Sequence, residues 1–144
     1  MKKIKILFLT IFLTSSFIWV EAQCRQFTQD EVVPMLDDYI LSGRYNSLKM
    51  YEGEELLIYK TLTKDISYRF IVKSQEDLPK NINMKITTWN DEEIYDNKNN
   101  KYNPVFDYKN EKTQRVKIFI YVPKAKEGAE EKSGCVGLVI GLKN

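Results

Sequence analysis

The chain contains no histidine among its 144 residues. That removes Ser-His-Asp and Cys-His nucleophilic arrangements and the commonest zinc ligand. No glycine-rich phosphate loop or Walker-type sequence occurs either. What remains able to do chemistry is oxygen and aromatic rings. Asp91, Glu92, Glu93 and Asp96 lie close together, with Asn97, Asn99, Asn100 and Asp107 following. Oxygen-rich turns hold calcium, which makes Asp91, Glu93, Asp96 and Asp107 candidate ligands, although the spacing fits no EF-hand. Two converging carboxylates would instead suit glycoside hydrolysis, and a solvated acidic turn is the plainer reading. The same region carries Trp89, Tyr95, Tyr102, Phe106 and Tyr108, with Phe119 and Tyr121 further on. Exposed rings beside Asn and Asp side chains suit carbohydrate or protein recognition. The alternative is that these rings fill the core.

The first residues point to export. Lys2, Lys3 and Lys5 precede an apolar run from Ile6 to Val20, followed by Val20-Glu21-Ala22. A basic head, an apolar stretch and small residues at the cut describe a signal peptide, residues 1–22. The uninterrupted apolar part is shorter than the ~20 residues a spanning helix needs, so no transmembrane helix is expected in the mature chain. A lipid anchor on Cys24 is disfavoured, because lipoprotein processing requires a small residue where Gln23 stands. Of 22 basic and 20 acidic residues, the leader takes three lysines and Glu21, which leaves 19 of each. A neutral mature chain argues against nucleic acid as a partner. Cys24 and Cys135 are the two cysteines, and in an oxidising compartment pairing is the default, with two free thiols as the alternative.

These residues must be positioned by a mostly β chain. Phe27 to Gly43 reads as a helix: Thr28 and Glu31 form a capping box, Val32, Leu36, Tyr39 and Ile40 recur at helical spacing, and Gly43 ends it. Pro34 is its weak point. From Tyr45 the period becomes two, giving strands over 47–51, 55–63, 66–73, 84–89, 94–95, 105–108 and 115–122. Short strands at near-regular spacing argue for an antiparallel sandwich or barrel. The expected organisation is one domain over 23–144, with a helical segment over 23–43 and a β-sandwich over 44–144.

The last strand, "SGCVGLVIGLKN", puts Val136, Leu138, Ile140 and Leu142 on one face and Cys135, Gly137, Val139 and Gly141 on the other. Glycine within a strand marks the close approach of another backbone. The reading is that the N-terminal helix, or the segment leading to it, crosses this glycine face and is pinned there by a Cys24–Cys135 disulfide. Local relief of strand twist is the alternative use of the glycines.

"DISYRFIV", "MKITTWNDEEIYDN", "TQRVKIFIYVP" and "GCVGLVIGLK" together resemble the bacterial pre-peptidase C-terminal type of β-sandwich, a jelly-roll-like domain of secreted proteins. The chain is also similar to small secreted bacterial proteins of unassigned function. Two departures are visible: Asn90-Asp91-Glu92-Glu93 lacks the glycine usual in the family's turn, and the helix and cysteines are additional. The resemblance implies an antiparallel jelly-roll-like sandwich with one short N-terminal α-helix, serving as a non-catalytic accessory or binding module. The function expected is therefore recognition of a protein or carbohydrate outside the cytoplasm, without a cofactor unless calcium binds the acidic turn. A cell-envelope assembly subunit joined through a free strand edge and a carboxylate-dependent hydrolase are the alternatives.

Overall fold

In the computed structural model, which describes residues 18–143, the period-two segments become two antiparallel sheets packed face to face. The strands are β1 Ile40–Leu41, β2 Asn46–Tyr51, β3 Glu55–Leu62, β4 Ser67–Ser74, β5 Asn83–Thr88, β6 Glu93–Asp96, β7 Val105–Lys109, β8 Gln114–Tyr121 and β9 Ser133–Lys143. One sheet runs β2-β9-β4-β7, with β1 also on β9; the other runs β3-β8-β5-β6. From β2 to β5, and again from β6 to β9, the chain alternates between sheets, which is the winding of an eight-stranded jelly roll. Strand alternation supplies the core. Val116, Ile118 and Ile120 of β8 meet Phe70, Val72, Leu138 and Met84 in one buried cluster. Each such side chain contributes about 1.5–3 kcal/mol on burial. Among the described residues, no helix is long and apolar enough to cross a membrane.

The N-terminal segment differs from the expected helix. An α-helix, α1, runs Ile18–Phe27, followed by a π turn, Thr28–Val32, and a 3-10 turn, Val33–Leu36. Pro34 explains the break, since it has no N–H to give to the carbonyl four residues earlier and its ring clashes there. The coil therefore widens before Pro34 and tightens after it, with Pro34 at the start of the 3-10 turn, where no donor is needed. Thr28 is not a cap. It is buried, and its hydroxyl donates to Ser47 Oγ at 2.8 Å. The helical segment stops at Asp37, which has φ 56°, rather than at Gly43. Ile40 and Leu41 then pair with β9, and Gly43, with φ 84°, lies between β1 and β2. The basic head and the apolar run as far as Phe17 lie outside the described residues. α1 begins at Ile18 and passes through the expected cut after Ala22.

The crossing of the glycine face is present. Cys24 and Cys135 are joined, with Cα atoms 5.0 Å apart. A Cβ on Gly137 would sit 2.7 Å from Thr28 Oγ1 and 3.0 Å from Val32 Cγ2; one on Gly141 would sit 2.5 Å from Leu36 Cδ2. A side chain at either position would push the segment away, so glycine is what lets it lie this close to the strand. Cys24, Phe27, Val32 and Leu36 thereby bury Ile71, Cys135 and Val139 in a second apolar cluster. Polar contacts fasten the far end of the segment. Arg69 grips Asp107 with two bonds of 2.7 and 2.8 Å, and its Nη1 donates to Leu36 O at 3.3 Å. The same guanidinium lies 4.5 Å from the Tyr39 ring centroid, and Asp107 holds its pKa still higher than usual. Lys143 donates to Asp38, which lowers the Asp38 pKa and raises that of Lys143.

Reducing the disulfide should lower unfolding free energy by roughly 4–5 kcal/mol on the chain-entropy account, read by urea denaturation with and without reductant. Gly137→Ala with the disulfide intact should cost ~1–3 kcal/mol through overpacking against Thr28 and Val32; an unchanged urea midpoint would contradict the close crossing. Asp38 has a native pKa below its unfolded one, so its contribution is complete above the unfolded value and disappears as pH falls through the native one. Asp38→Asn should flatten that part of the acid-unfolding curve.

Candidate functional site

The outer face of the β3-β8-β5-β6 sheet carries an aromatic and cationic platform. Ile58 and Ile118 are paired and point inward, so Leu57, Tyr59, Lys117 and Phe119 point outward from β3 and β8. Trp89 follows β5 in the turn to β6 and lies beside Tyr59, with ring centroids 5.7 Å apart. The Arg115 guanidinium lies 5.0 Å from the Tyr59 ring and 4.7 Å from the Trp89 ring. Lys117 Nζ lies 5.5 Å from the Trp89 ring and pairs with Asp91 at 2.7 Å. Trp89 remains 51% exposed and Tyr59 47%. Among the described residues Arg115 has no carboxylate within ion-pair distance. Its guanidinium lies against two rings, and among the described residues no acceptor takes its donors.

The turn that presents Trp89 is tightly built. Thr88 N donates to Glu92 O at 2.8 Å, and Asp91 N to Thr88 O at 3.2 Å. Asp91 adopts φ 67°, the left-handed conformation for which glycine is the ordinary choice. Aspartate tolerates it better than most residues, and here it also reaches Lys117.

The five aromatic candidates are not brought together. Tyr95 of β6 stacks on Phe106 of β7 at 3.9 Å between centroids and 8° between planes, and Phe106 lies against Phe70 and Tyr108. β6 and β7 are the edge strands of opposite sheets, so this stack closes one open side of the sandwich. Tyr95, Phe106 and Tyr108 pack against the core, and Tyr108 accepts a hydrogen bond from Gln114 Nε2 at 3.2 Å. The Tyr95 hydroxyl is buried and has no hydrogen-bond partner among the described residues. Trp89 stands on the platform and Tyr102 lines a cleft elsewhere.

Each of the four candidate calcium ligands has a partner within the protein. Asp91 pairs with Lys117, Glu93 with Lys85 at 3.2 Å, and Asp107 with Arg69 across the other sheet. Asp96 accepts from Asn83 Nδ2 at 2.8 Å and from Lys98 N at 3.0 Å. Among the described residues, no three acidic or cysteine side chains converge. The four carboxylates tie turns to strands instead.

Asn97 does the structural work in that loop. It is fully buried, donates through Nδ2 to Ile82 O at 3.0 Å, and accepts through Oδ1 from Met84 N and Asn83 Nδ2 at 3.0 Å each. Tyr102 N donates to Asn97 O at 2.8 Å, while Lys101 and Tyr102 both adopt positive φ, 51° and 56°. Two successive non-glycine residues in that region persist only where the surroundings over-determine them. Tyr102 borders a cleft of about 600 Å³ that also involves Lys73, Lys80 and Ile82. Sequence reasoning missed Tyr59 and Arg115, although their outward places in two clean alternations could have been paired once β3 and β8 were taken as neighbours.

Three measurements check this site. Millimolar calcium should leave the melting temperature unchanged. Asn97→Ala should cost about 2–3 kcal/mol or more, because it strands buried donors and an acceptor. Tyr95→Phe should be neutral or stabilising by about 1 kcal/mol, since it removes an unpaired hydroxyl.

No family model matches the chain, and no curated protein matches it in sequence. Among solved structures, the crystal structure of Aeromonas hydrophila PliG, a periplasmic lysozyme inhibitor of g-type lysozyme, is similar over 67% of this chain and 85% of that one. The two are 14% identical and superpose with a TM-score of 0.41.

Proposed function

We propose that the protein is an exported, non-enzymatic binding module that recognises another protein through the outer face of the β3-β8-β5-β6 sheet. The observation that carries this reading is the Tyr59–Arg115–Trp89 cluster, which is exposed, preorganised and without an internal acidic partner for the guanidinium. Trp, Tyr and Arg are the residue types in which binding hot spots are richest. Rings lose little entropy on docking, and a guanidinium held between them keeps its planar fork for a carboxylate of the partner. Lys117 and Lys85 are already neutralised by Asp91 and Glu93, whereas Arg115 has no carboxylate partner among the described residues. This agrees with the accessory role implied by the resemblance to pre-peptidase C-terminal domains. A glycan is the other ligand such rings serve.

A second reading, self-assembly, is favoured by one feature. β3 is an eight-residue edge strand with Leu57 and Tyr59 exposed, and long apolar edges invite pairing with another chain.

Trp89→Ala and Arg115→Ala should each weaken partner binding by about 30-fold, the ~2 kcal/mol expected of a hot spot, with little change in melting temperature. The mature chain from Gln23 has Trp89 as its sole tryptophan, so its fluorescence reports docking directly. A glycan array run beside a protein pull-down separates the two ligand classes. Concentration-dependent sedimentation abolished by a charge at Leu57 would favour self-assembly.

A further inference from the structure

The cleft beside Tyr102 contains an unfinished sheet edge. β4 pairs with β9 along its whole length, Ser67 to Ser74, but with β7 only from Ser67 to Ile71. The last bond on the β7 side is Val72 N to Pro104 O at 2.9 Å. Beyond it the chain turns away at Asn103, where Asn103 N bonds to Asn100 O. In an antiparallel ladder the N–H and C=O of alternate residues point to the same side. The Val72 N–H points towards β7, so the Ser74 N–H two residues on points the same way. Among the described residues, no strand stands there to receive it.

The space that β7 leaves is the cleft of about 600 Å³. Its floor is apolar, with Val72 and Ile82, and Tyr102 and Pro104 form one wall. Its rim is charged, with Lys73 paired to Glu31 at 2.8 Å and Lys80 nearby. Tyr102 is held in place by a strained backbone and the buried Asn97 network, so the wall is rigid before anything arrives. A preformed edge with a pocket beside it is the arrangement used for strand addition: the backbone supplies affinity and alternate side-chain pockets supply specificity.

We propose that this cleft binds an extended peptide segment, which continues the line of β7 antiparallel to β4 and bonds to the Ser74 backbone. The unpaired main-chain edge favours a peptide over a sugar, because a peptide backbone repeats donors and acceptors at strand spacing. One peptide side chain points down onto Val72, Ile82 and Tyr102 and is apolar. Its neighbours point out towards the Lys73–Glu31 rim and are polar or charged. This site lies apart from the Trp89 platform and stands or falls separately from it.

The test is a selection of short random peptides displayed on phage against the oxidised chain from Gln23, followed by calorimetry on synthetic winners. The expected result is an enriched set sharing one apolar residue between polar ones. Those peptides should bind at least about tenfold more weakly to Tyr102→Ala and equally well to Trp89→Ala. Tyr102→Gly is the companion variant, because it deletes the ring while relieving the positive φ, so a loss shared by both variants is not a folding defect. Amide exchange at Ser74 should slow when the peptide is bound. Winners that depend on Trp89 and ignore Tyr102 would overturn the proposal, as would unchanged Ser74 exchange in a saturated complex. So would no enriched peptide, or a glycan ligand lost on Tyr102→Ala.

Discussion

The close crossing of β9 by the N-terminal segment is the contact on which the rest of the molecule depends. β9 lies inside its sheet, between β1 and β2 on one side and β4 on the other, and it is buried on both faces from Gly134 to Gly141. The inner face meets the second sheet. The outer face, with Cys135 and Val139 beside Ile71 of β4, is covered by the segment from Cys24 to Leu36, with Tyr39 following over Gly141. Gly137 and Gly141 each cost about 0.5–1 kcal/mol of strand stability relative to alanine. That cost is offset by burying Val32 and Leu36, which a side chain at either position would lift away. The disulfide then holds the cover at the point where the segment first meets the strand.

With one outer face covered, the molecule is left asymmetric. Among the described residues nothing covers the outer face of the opposite sheet, and there Tyr59 and Arg115 stand on strands whose inner residues are locked in the core, with Trp89 in the turn after β5. The exposed Trp89 and the half-buried Tyr102 both sit at turns containing non-glycine residues with positive φ. Asp91 at the first turn is fastened by Lys117, and Tyr102 at the second by the backbone of Asn97. Strain of this kind is stable only when the neighbours fix it, so each ring is displayed in a single place. Preorganisation of that sort lowers the ordering cost of binding.

The strands were readable because their physics is local. Val116, Ile118, Ile120 and Val122 alternate with polar and aromatic residues, and all four are fully buried, as period two requires. The glycine face of β9 was readable for the same reason, since glycine at every second or fourth place has few uses in a central strand. The N-terminal helical segment was legible, but its bounds were not, because two local signals pointed to a start at Thr28. Thr28 and Glu31 have the spacing of a cap, yet Thr28 is buried over Gly137 and Glu31 reaches Lys73. Tertiary contact took both side chains, and Pro34 dictated where the regular coil ended.

The site was harder to read, and Asn97 shows why. In the sequence it is one oxygen among many in an acidic, Asn-rich loop, which suggested ligands for a cation. In the fold it occupies a dry position that must satisfy the Met84 N–H and the Ile82 carbonyl at once. An amide can donate and accept from one side chain, whereas a carboxylate only accepts. Asparagine rather than aspartate is therefore what the position demands, because a carboxylate there would face the Ile82 carbonyl oxygen and bury an uncompensated charge. The residue types that resembled metal chemistry are thus divided by function: the amide holds the loop, and Asp91, Glu93 and Asp107 are each committed to a cation of the protein itself. Composition could not distinguish these uses, because what separates them is which neighbouring strand supplies the partner.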